Sequence, residues 1–375
     1  MDSMDFFATA AKGTEPALRD ELRELKFRRV RADRGGVHLS GTMRDGARAC
    51  LESRIAVRIL ARVVEGHAPD AETLYELART VDWGAWISPK HTLAVSAVAR
   101  DSGLTHTQFI AQKTKDAIVD RIRDERGARP DVDLADADVR VFVHLSKDHA
   151  ALWLDLAGES LHLRGYRTKI GEAPLKETLA AAILRYSGWD RRAPLLDPMC
   201  GAGTIAIEAW LWAHDVAPGL ARRRFGFERW ASHDEALVRA VAELREAATA
   251  RVRPQGSESP RVLGSDIDAK AIEAARANAR STSAHIDFRT LPLSAAQPFS
   301  TPGFVVTNPP YDERLAADDE FYRDMAEALR AFHGHEVAIL SGTPAIEQAM
   351  RVRWTTAKQL WNGNIECRLL RYSIR

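Results

Sequence analysis

The sequence predicts an α/β protein built from a Rossmann-like doubly wound sheet in its C-terminal half and a smaller α+β region before it. Three observations carry this. From about residue 166, apolar runs of strand length alternate with helical stripes, the pattern of parallel strands joined by helical crossovers. Within that stretch "LLDPMCGAGT" reads as a strand, a Gly-rich turn and the opening of a helix. Before residue 160 the alternation is shorter, and "DVRVFVHLSKDHAALWLDLAG" reads as two strands joined by a polar turn at Lys147–Asp148.

Taken in order, "DFFATA" is a strand and "TEPALRDELRELK" a helix with its apolar stripe at Ala17, Leu18, Leu22 and Leu25. "GGVHLSG" is strand-like, and Thr42 is placed to cap the helix in "TMRDGARACLESR". "AVRILARVV" is a β-branched run that ends this first unit. "DAETLYELARTVDWGAWI" looks helical throughout and "TLAVSAVA" extended. A long helix follows, with Ile110, Thr114, Ala117, Ile118 and Ile122 on one face and Gly127 as its stop. In the second half "PLKETLAAAILRYSGW" is a leading helix. The strands are then "PLLD", "RVLGSDID", "IDFRT", "GFVVT" and "EVAILSG", with helices "IAIEAWLWA", "AKAIEAARANAR" and "FYRDMAEALRAF" between them. The end reads as a hairpin turning at Asn362–Gly363. The stretch "RVRPQGSESPR" is an exposed connection.

Composition narrows the function. The chain has 375 residues, long enough for two or three domains, and 45% are apolar. Residues 1–170 hold 27 Lys+Arg against 26 Asp+Glu, and the rest 26 against 26, so neither half is a basic domain. A nucleic-acid partner has to be argued from local clusters. Cys50, Cys200 and Cys367 lie far apart and none is in a CxxC pair, which argues against a disulfide framework or a cysteine metal site. No HExxH or similar spacing occurs, so no metal is expected. The acidic start "MDSMDFFATA" is no signal peptide, and no run of 18 apolar residues could span a membrane, so the expected compartment is the cytoplasm.

Three stretches carry chemistry. The turn in "LLDPMCGAGT", with Asp197, Gly201 and Gly203, suits a nucleotide-type ligand at the end of the first strand; a tight strand-to-helix turn is the plainer reading. Asp266, ending "VLGSD", stands where a carboxylate takes both hydroxyls of an adenosine ribose, while Asp268 suits a helix cap; capping alone would also account for both. The third is "TNPPYDERL". Two prolines end a buried strand between Asn308 and Tyr311. The Asn308 side-chain oxygen and the Pro309 carbonyl are acceptors for the two hydrogens of an exocyclic amino group, Pro310 stiffens the loop, and Tyr311 offers a flat face to a base. This is apparatus for presenting a planar amino nitrogen to an electrophile. The basic clusters "FRRVRADR", "RGYRTK" and "RRRF" suit either phosphate contacts or a solvated surface.

These motifs in this order resemble the class I S-adenosylmethionine-dependent methyltransferases of the amino-methylating branch. "LHLRGYR", "APLKETLAAAILRYSGW", "APGLARRRFGFERW", "GSDIDAKAIEAARANAR" and "NGNIECRLL" extend the likeness to the bacterial RlmL family, 23S ribosomal RNA guanine-N2 methyltransferases with an N-terminal THUMP domain. The resemblance implies a seven-stranded methyltransferase domain over residues 163–375, a ferredoxin-like segment over 1–55 and a THUMP RNA-binding domain over 56–162. It implies S-adenosylmethionine as cofactor, held by Asp197, Met199, Cys200, Gly201, Gly203, Thr204, Asp266, Ile267 and Asn308. Asn308, Pro309, Pro310 and Tyr311 would form the catalytic loop, and Arg164, Arg167, Lys169, Arg222 and Arg223 would meet RNA. Ribosomal RNA is the expected partner. A tRNA guanine, a DNA adenine, a protein glutamine amide and a catalytically silent RNA-binding module are the alternatives. Two positions depart from the family pattern: Asp312 replaces the usual Gly after the tyrosine, and Pro292 stands where an acid would meet the adenine amino group.

Overall fold

The computed structural model describes residues 3–167, 175–256, 258–310 and 319–375. The first half runs β1 (Met4–Thr9), α1 (Glu15–Glu24), β2 (Arg28–Asp33), β3 (Gly36–Gly41), α2 (Met43–Glu52), β4 (Arg58–His67), α3 (Ala71–Arg79), β5 (Thr92–Arg100), α4 (Thr107–Arg126), β6 (Asp131–Val132), β7 (Val139–Ser146) and β8 (His149–Asp155). Its strands form one eight-stranded sheet in the order β2-β3-β1-β4-β8-β7-β5-β6. The long strand β4 joins the two parts of that sheet by pairing with β1 on one side and β8 on the other. Thr42 caps α2 in a reciprocal capping box with Asp45, and Gly127 closes α4 at φ 71°. Lys147 and Asp148 both adopt positive φ, as a two-residue hairpin turn requires.

The second half runs α5 (Glu177–Tyr186), β9 (Leu195–Asp197), α6 (Thr204–Ala213), α7 (Glu235–Ala250), β10 (Val262–Asp266), α8 (Ala269–Ser281), β11 (Asp287–Thr290), β12 (Phe304–Thr307), α9 (Asp319–Arg330), β13 (Glu336–Ser341), α10 (Ala345–Met350), β14 (Thr356–Asn362) and β15 (Ile365–Ser373). The sheet order is β11-β10-β9-β12-β13-β15-β14, with β15 antiparallel to both neighbours.

The structure departs from the sequence reading in five places. The helix expected over 70–87 stops at Arg79, where Trp83 turns inward, fully buried, and donates its ring N–H to the Ala78 carbonyl at 2.7 Å. β2 runs through the cluster read only as basic, and α7 and α10 are additional helices. The final hairpin turns at 363–364, one residue late, because Asn362 still pairs with Ile365 and Gly363 takes the positive φ.

The halves meet in a buried polar joint. Glu21 of α1 is 7% exposed and accepts from Ser53 Oγ at 2.6 Å and from the Arg54 and Ile55 N–H groups at 2.9 and 3.3 Å. Arg54 donates to the Val216 carbonyl at 2.6 Å, and burial draws its pKa down to about 10. Arg164 is 3% exposed; it donates to the Arg54 and Leu161 carbonyls and stands 3.5 Å from Glu208, which is fully buried. Arg222 donates to the carbonyls of Ser160, Leu163 and Glu159 at 2.9, 3.0 and 3.1 Å. Between α6 and β10 the chain also sends α7 against α2, and its Leu237, Val241, Leu244 and Ala248 enter the N-terminal core.

Candidate active site

β10, β9 and β12 lie side by side, with Gly264 level with Asp197 and Leu196 level with Val305. The turn after β9, the end of β10 and the loop after β12 therefore share one rim. The chain crosses to opposite sides of β9 here, so this is the sheet's switch point, where open α/β sheets bind ligands.

The Gly-rich turn is held by backbone. Cys200 donates its N–H to the Ser265 carbonyl at 2.9 Å, Gly203 to the Cys200 carbonyl at 2.8 Å, and Asn278 Nδ2 reaches the Ala202 carbonyl at 3.2 Å. Gly201 (φ 51°) and Gly203 (φ 83°) need glycine for different reasons. A Cβ on Gly203 would stand 2.9 Å from the Phe288 ring, so this glycine lets α6 pack. A Cβ on Gly201 would meet nothing within 4 Å, so that side of the turn is open. Cys200 is 6% exposed, and burial pushes its thiol pKa far up. Its side chain is a packing group, and only its peptide remains for a ligand. Met199 is half-buried, and Ile267 at the end of β10 is 75% exposed, unusual for so large an apolar residue.

Both aspartates face the turn. Asp266 accepts the Gly201 N–H at 2.9 Å and the Asp268 N–H at 3.0 Å, one on each oxygen, which leaves each oxygen a lone pair. Asp268 caps α8 through the Lys270 N–H at 2.8 Å, as its sequence position suggests. Asp197 is 2% exposed; burial lifts its pKa to about 7, with the Thr307 hydroxyl and the Met199 N–H pulling down and Asp266 pushing up.

On the third side, Asn308 Oδ1 is buried and has no hydrogen-bond partner among the described residues. Pro309 is buried beside it, and Tyr322 of α9 donates its hydroxyl to the Pro310 carbonyl at 3.4 Å. Tyr311 and Asp312 lie outside the described residues, as does Lys169. Pro292 is exposed and opens a short turn, Leu293–Ala295; residues 291–296, "LPLSAA", bring no carboxylate to this position.

Three of the arginines expected to meet RNA are largely buried. Arg164 and Arg222 are joint residues, 3% and 8% exposed. Arg167 is 12% exposed at its side chain; it donates from Nε to Glu177 at 3.0 Å and from Nη2 to the Leu175 carbonyl and Thr204 Oγ1 at 3.1 and 3.2 Å. Arg223 is exposed. Sequence reasoning also passed over Asn278 and Tyr322. Asn278 carried a signal, because a polar residue sits on the buried face of α8 with Ile272, Ala275 and Ala279.

Comparison with known proteins shows the family. Residues 164–371 match the RMKL-like methyltransferase domain, 68–155 the THUMP domain and 5–60 the RlmL ferredoxin-like domain. A protein of Syntrophotalea carbinolica named ribosomal RNA large subunit methyltransferase K/L is 42% identical over 98% of this chain and 53% of its own length. A relative of the same name from Methylococcus capsulatus is 43% identical over 99% of this chain and 51% of its own. The chain thus spans about half the length of the curated relatives it matches. Among solved structures, SMU.472 in complex with SAH superposes with a TM-score of 0.89 at 29% identity, covering 100% of this chain and 99% of that one. A predicted N6-adenine-specific DNA methylase from Listeria monocytogenes also gives 0.89, at 30% identity over 99% and 96% of the two chains.

Proposed function

Because this chain belongs to the RMKL-like methyltransferase family, we propose that it transfers a methyl group from S-adenosylmethionine to the exocyclic N2 of a guanine in RNA, with 23S ribosomal RNA as the substrate. Residues 163–375 would do the chemistry, and residues 1–55 and 56–162, which share one sheet, would hold the RNA. The observation that carries the reading is the buried Asn308 oxygen with no partner among the described residues, on the same rim as the open face of Gly201. The relatives' names and the SAH in a structural neighbour support it.

The rim fits the cofactor group by group. The free lone pairs of Asp266 suit two ribose hydroxyls, and exposed Ile267 suits a face of the adenine. Asp197 suits the ammonium of the methionine part, and the cleared side of Gly201 leaves room for its tail. The Pro292 side chain has no acceptor for the adenine amino group, so backbone carbonyls would have to take that role. When bound, the cofactor supplies an electrophilic methyl on a sulfonium. The protein's share is positioning. Asn308 Oδ1 and the Pro309 carbonyl accept the two amino hydrogens and hold the nitrogen in line with the methyl. They bind more strongly as that nitrogen turns positive. The base must leave its stack to reach them, and Tyr311 is placed in sequence to receive it.

Incubation with labelled S-adenosylmethionine and separated RNA pools, followed by nucleoside mass spectrometry, tests the reading. Label in N2-methylguanosine of ribosomal RNA is expected. Label in tRNA, or in adenine of DNA, overturns the substrate. Absence of calorimetric binding to S-adenosylmethionine overturns the enzyme itself.

A further inference from the structure

We propose that the helix-free face of the N-terminal sheet is a track for single-stranded RNA, with bases on Phe7, His38 and Phe142 and phosphates on Lys26, Arg28, Arg29 and Arg34. The inference rests on the RNA reading above and gives that partner a surface and a strandedness.

The sheet has two unlike faces. On one, Leu39, Ala61, Val143 and Leu152 pack with the buried stripes of α1, α2, α3 and α4. On the other, Leu60, Ala151 and Trp153, with Phe7 and Phe142 against them, form a separate cluster that contains strand residues only. The pairing register arranges this face in rows. Arg31 lies opposite His38, His38 opposite Phe7 and Phe7 opposite Leu60. Arg62 lies opposite Trp153 and Trp153 opposite Phe142. The Phe7 ring stands 4.8 Å from that of His38 and 6.0 Å from that of Trp153, centroid to centroid, which joins the rows. Trp153 is 7% exposed and makes the floor, while Phe7, His38 and Phe142 are half-buried and keep part of each ring in solvent. Asp33 of β2 pulls the pKa of His144 on β7 up against burial, although β3, β1, β4 and β8 lie between, so the face curves into a trough. A trough of flat rings with no helix residue over it suits unstacked bases.

Charge says which partner fits. Inside the trough the carboxylates are already matched: Asp5 and Glu65 pair with Arg62, and Asp33 with Arg31 at 3.5 Å and His38 at 3.2 Å. Its border at the edge strand β2 is different. Lys26, Arg28, Arg29 and Arg34 are exposed there, and their side chains have no partner among the described residues. The strand carries a bulge between Arg28 and Arg31, and Arg29 within it holds a positive φ of 51° although it is not glycine. That conformation is strained for an arginine, and the bulge adds one more cation to the edge. Cations on an edge strand also keep sheets from pairing with one another, but that role needs no aromatic rings beside it. Unpaired cations along a border, with neutral rings inside it, match a chain whose phosphates follow the edge while its bases turn inward. A duplex keeps its bases stacked and could use only the cations.

The test is fluorescence anisotropy on the full chain with a labelled mixed-sequence single-stranded RNA, against the blunt duplex it forms with its complement, over a series of salt concentrations. The single strand should bind at least about tenfold more tightly. Phe7→Leu with Phe142→Leu keeps apolar cover on Trp153 but removes two flat faces. It should weaken the single strand by roughly tenfold, leave the duplex within about threefold and keep the wild-type salt slope. Arg28→Ala with Arg29→Ala and Arg34→Ala should instead lower the salt slope by about 2, since each phosphate contact to a single strand contributes about 0.7. Equal binding of duplex and single strand, a leucine variant that binds like wild type, or an unchanged slope in the alanine variant overturns the proposal. If the leucine variant does not fold, the strand preference and the alanine variant decide it. Wild-type protein that methylates guanine in ribosomal RNA yet shows none of these effects overturns this surface alone. Failure to label RNA at all refutes the reading it rests on, a different outcome.

Discussion

The joint between the halves and the rim of the second sheet are both rich in buried polar groups, and they differ in how those groups are matched. At the joint, charges face charges or carbonyls. Glu21 takes three donors, Arg222 reaches three carbonyls within 3.1 Å, and Arg164 stands against Glu208. Single atoms there also lack a hydrogen bond, such as Arg54 Nη1 and Glu208 Oε2, but they belong to groups whose charge is answered nearby. At the rim, Asn308 Oδ1 has nothing opposite among the described residues, and the turn is open at Gly201. An unmatched atom alone does not mark a site. An unmatched atom on an open rim does.

The largest effect should come from unbalancing the joint. Arg164→Ala leaves Glu208 as a buried carboxylate without its cation, and about 3–5 kcal/mol of stability should be lost. Arg223→Ala, an exposed neighbour of Arg222, should change stability by less than about 0.5 kcal/mol. Urea denaturation of both variants measures the contrast, and similar midpoints would erase the distinction between inner and outer arginines.

Next is Asp266→Ala. It removes two backbone clamps and the proposed ribose contacts, so cofactor binding should weaken by about 2–3 kcal/mol, read by calorimetry. Unchanged affinity would move Asp266 from the rim's binding groups to its scaffolding.

A subtler effect should appear with pH. Asp197 is lifted from 3.8 to about 7 in the folded protein. Without cofactor, its contribution to stability is fully present below the unfolded value and is lost as pH rises through about 7. Binding of a cofactor ammonium needs the ionised form, so affinity should rise across the same window. Asp197→Asn should flatten both profiles. A wild-type affinity that is level from pH 6 to 8 would detach Asp197 from the ligand.

Much of the second domain was legible because its chemistry is local. The strand-turn-helix around Gly201 and the strand end at Asn308 are contiguous words in the sequence, and the order of strands follows from their alternation. The arginines were not legible. "RGYR" and "RRRF" look like surface clusters, yet Arg164, Arg167 and Arg222 go inside because carbonyls and carboxylates from distant segments converge on them. Such convergence has no sequence period. α7 was missed for a related reason: its stripe faces the N-terminal core, a partner more than a hundred residues away. Asn278 and Tyr322 support the rim only once α8 and α9 are packed against it.

The central claim, that the open rim holds reacting groups while the joint holds the fold, is tested most directly by single-turnover methyl transfer by Asn308→Ala on the RNA that the wild type modifies. Loss of one preorganised acceptor should slow transfer by about 3 kcal/mol, roughly a hundredfold, with the urea midpoint at its wild-type value. Asn308→Asp, which still accepts hydrogen bonds, should retain more activity. An alanine variant as fast as wild type, or one that loses stability in step with rate, would make the loop a stiff turn and contradict the account.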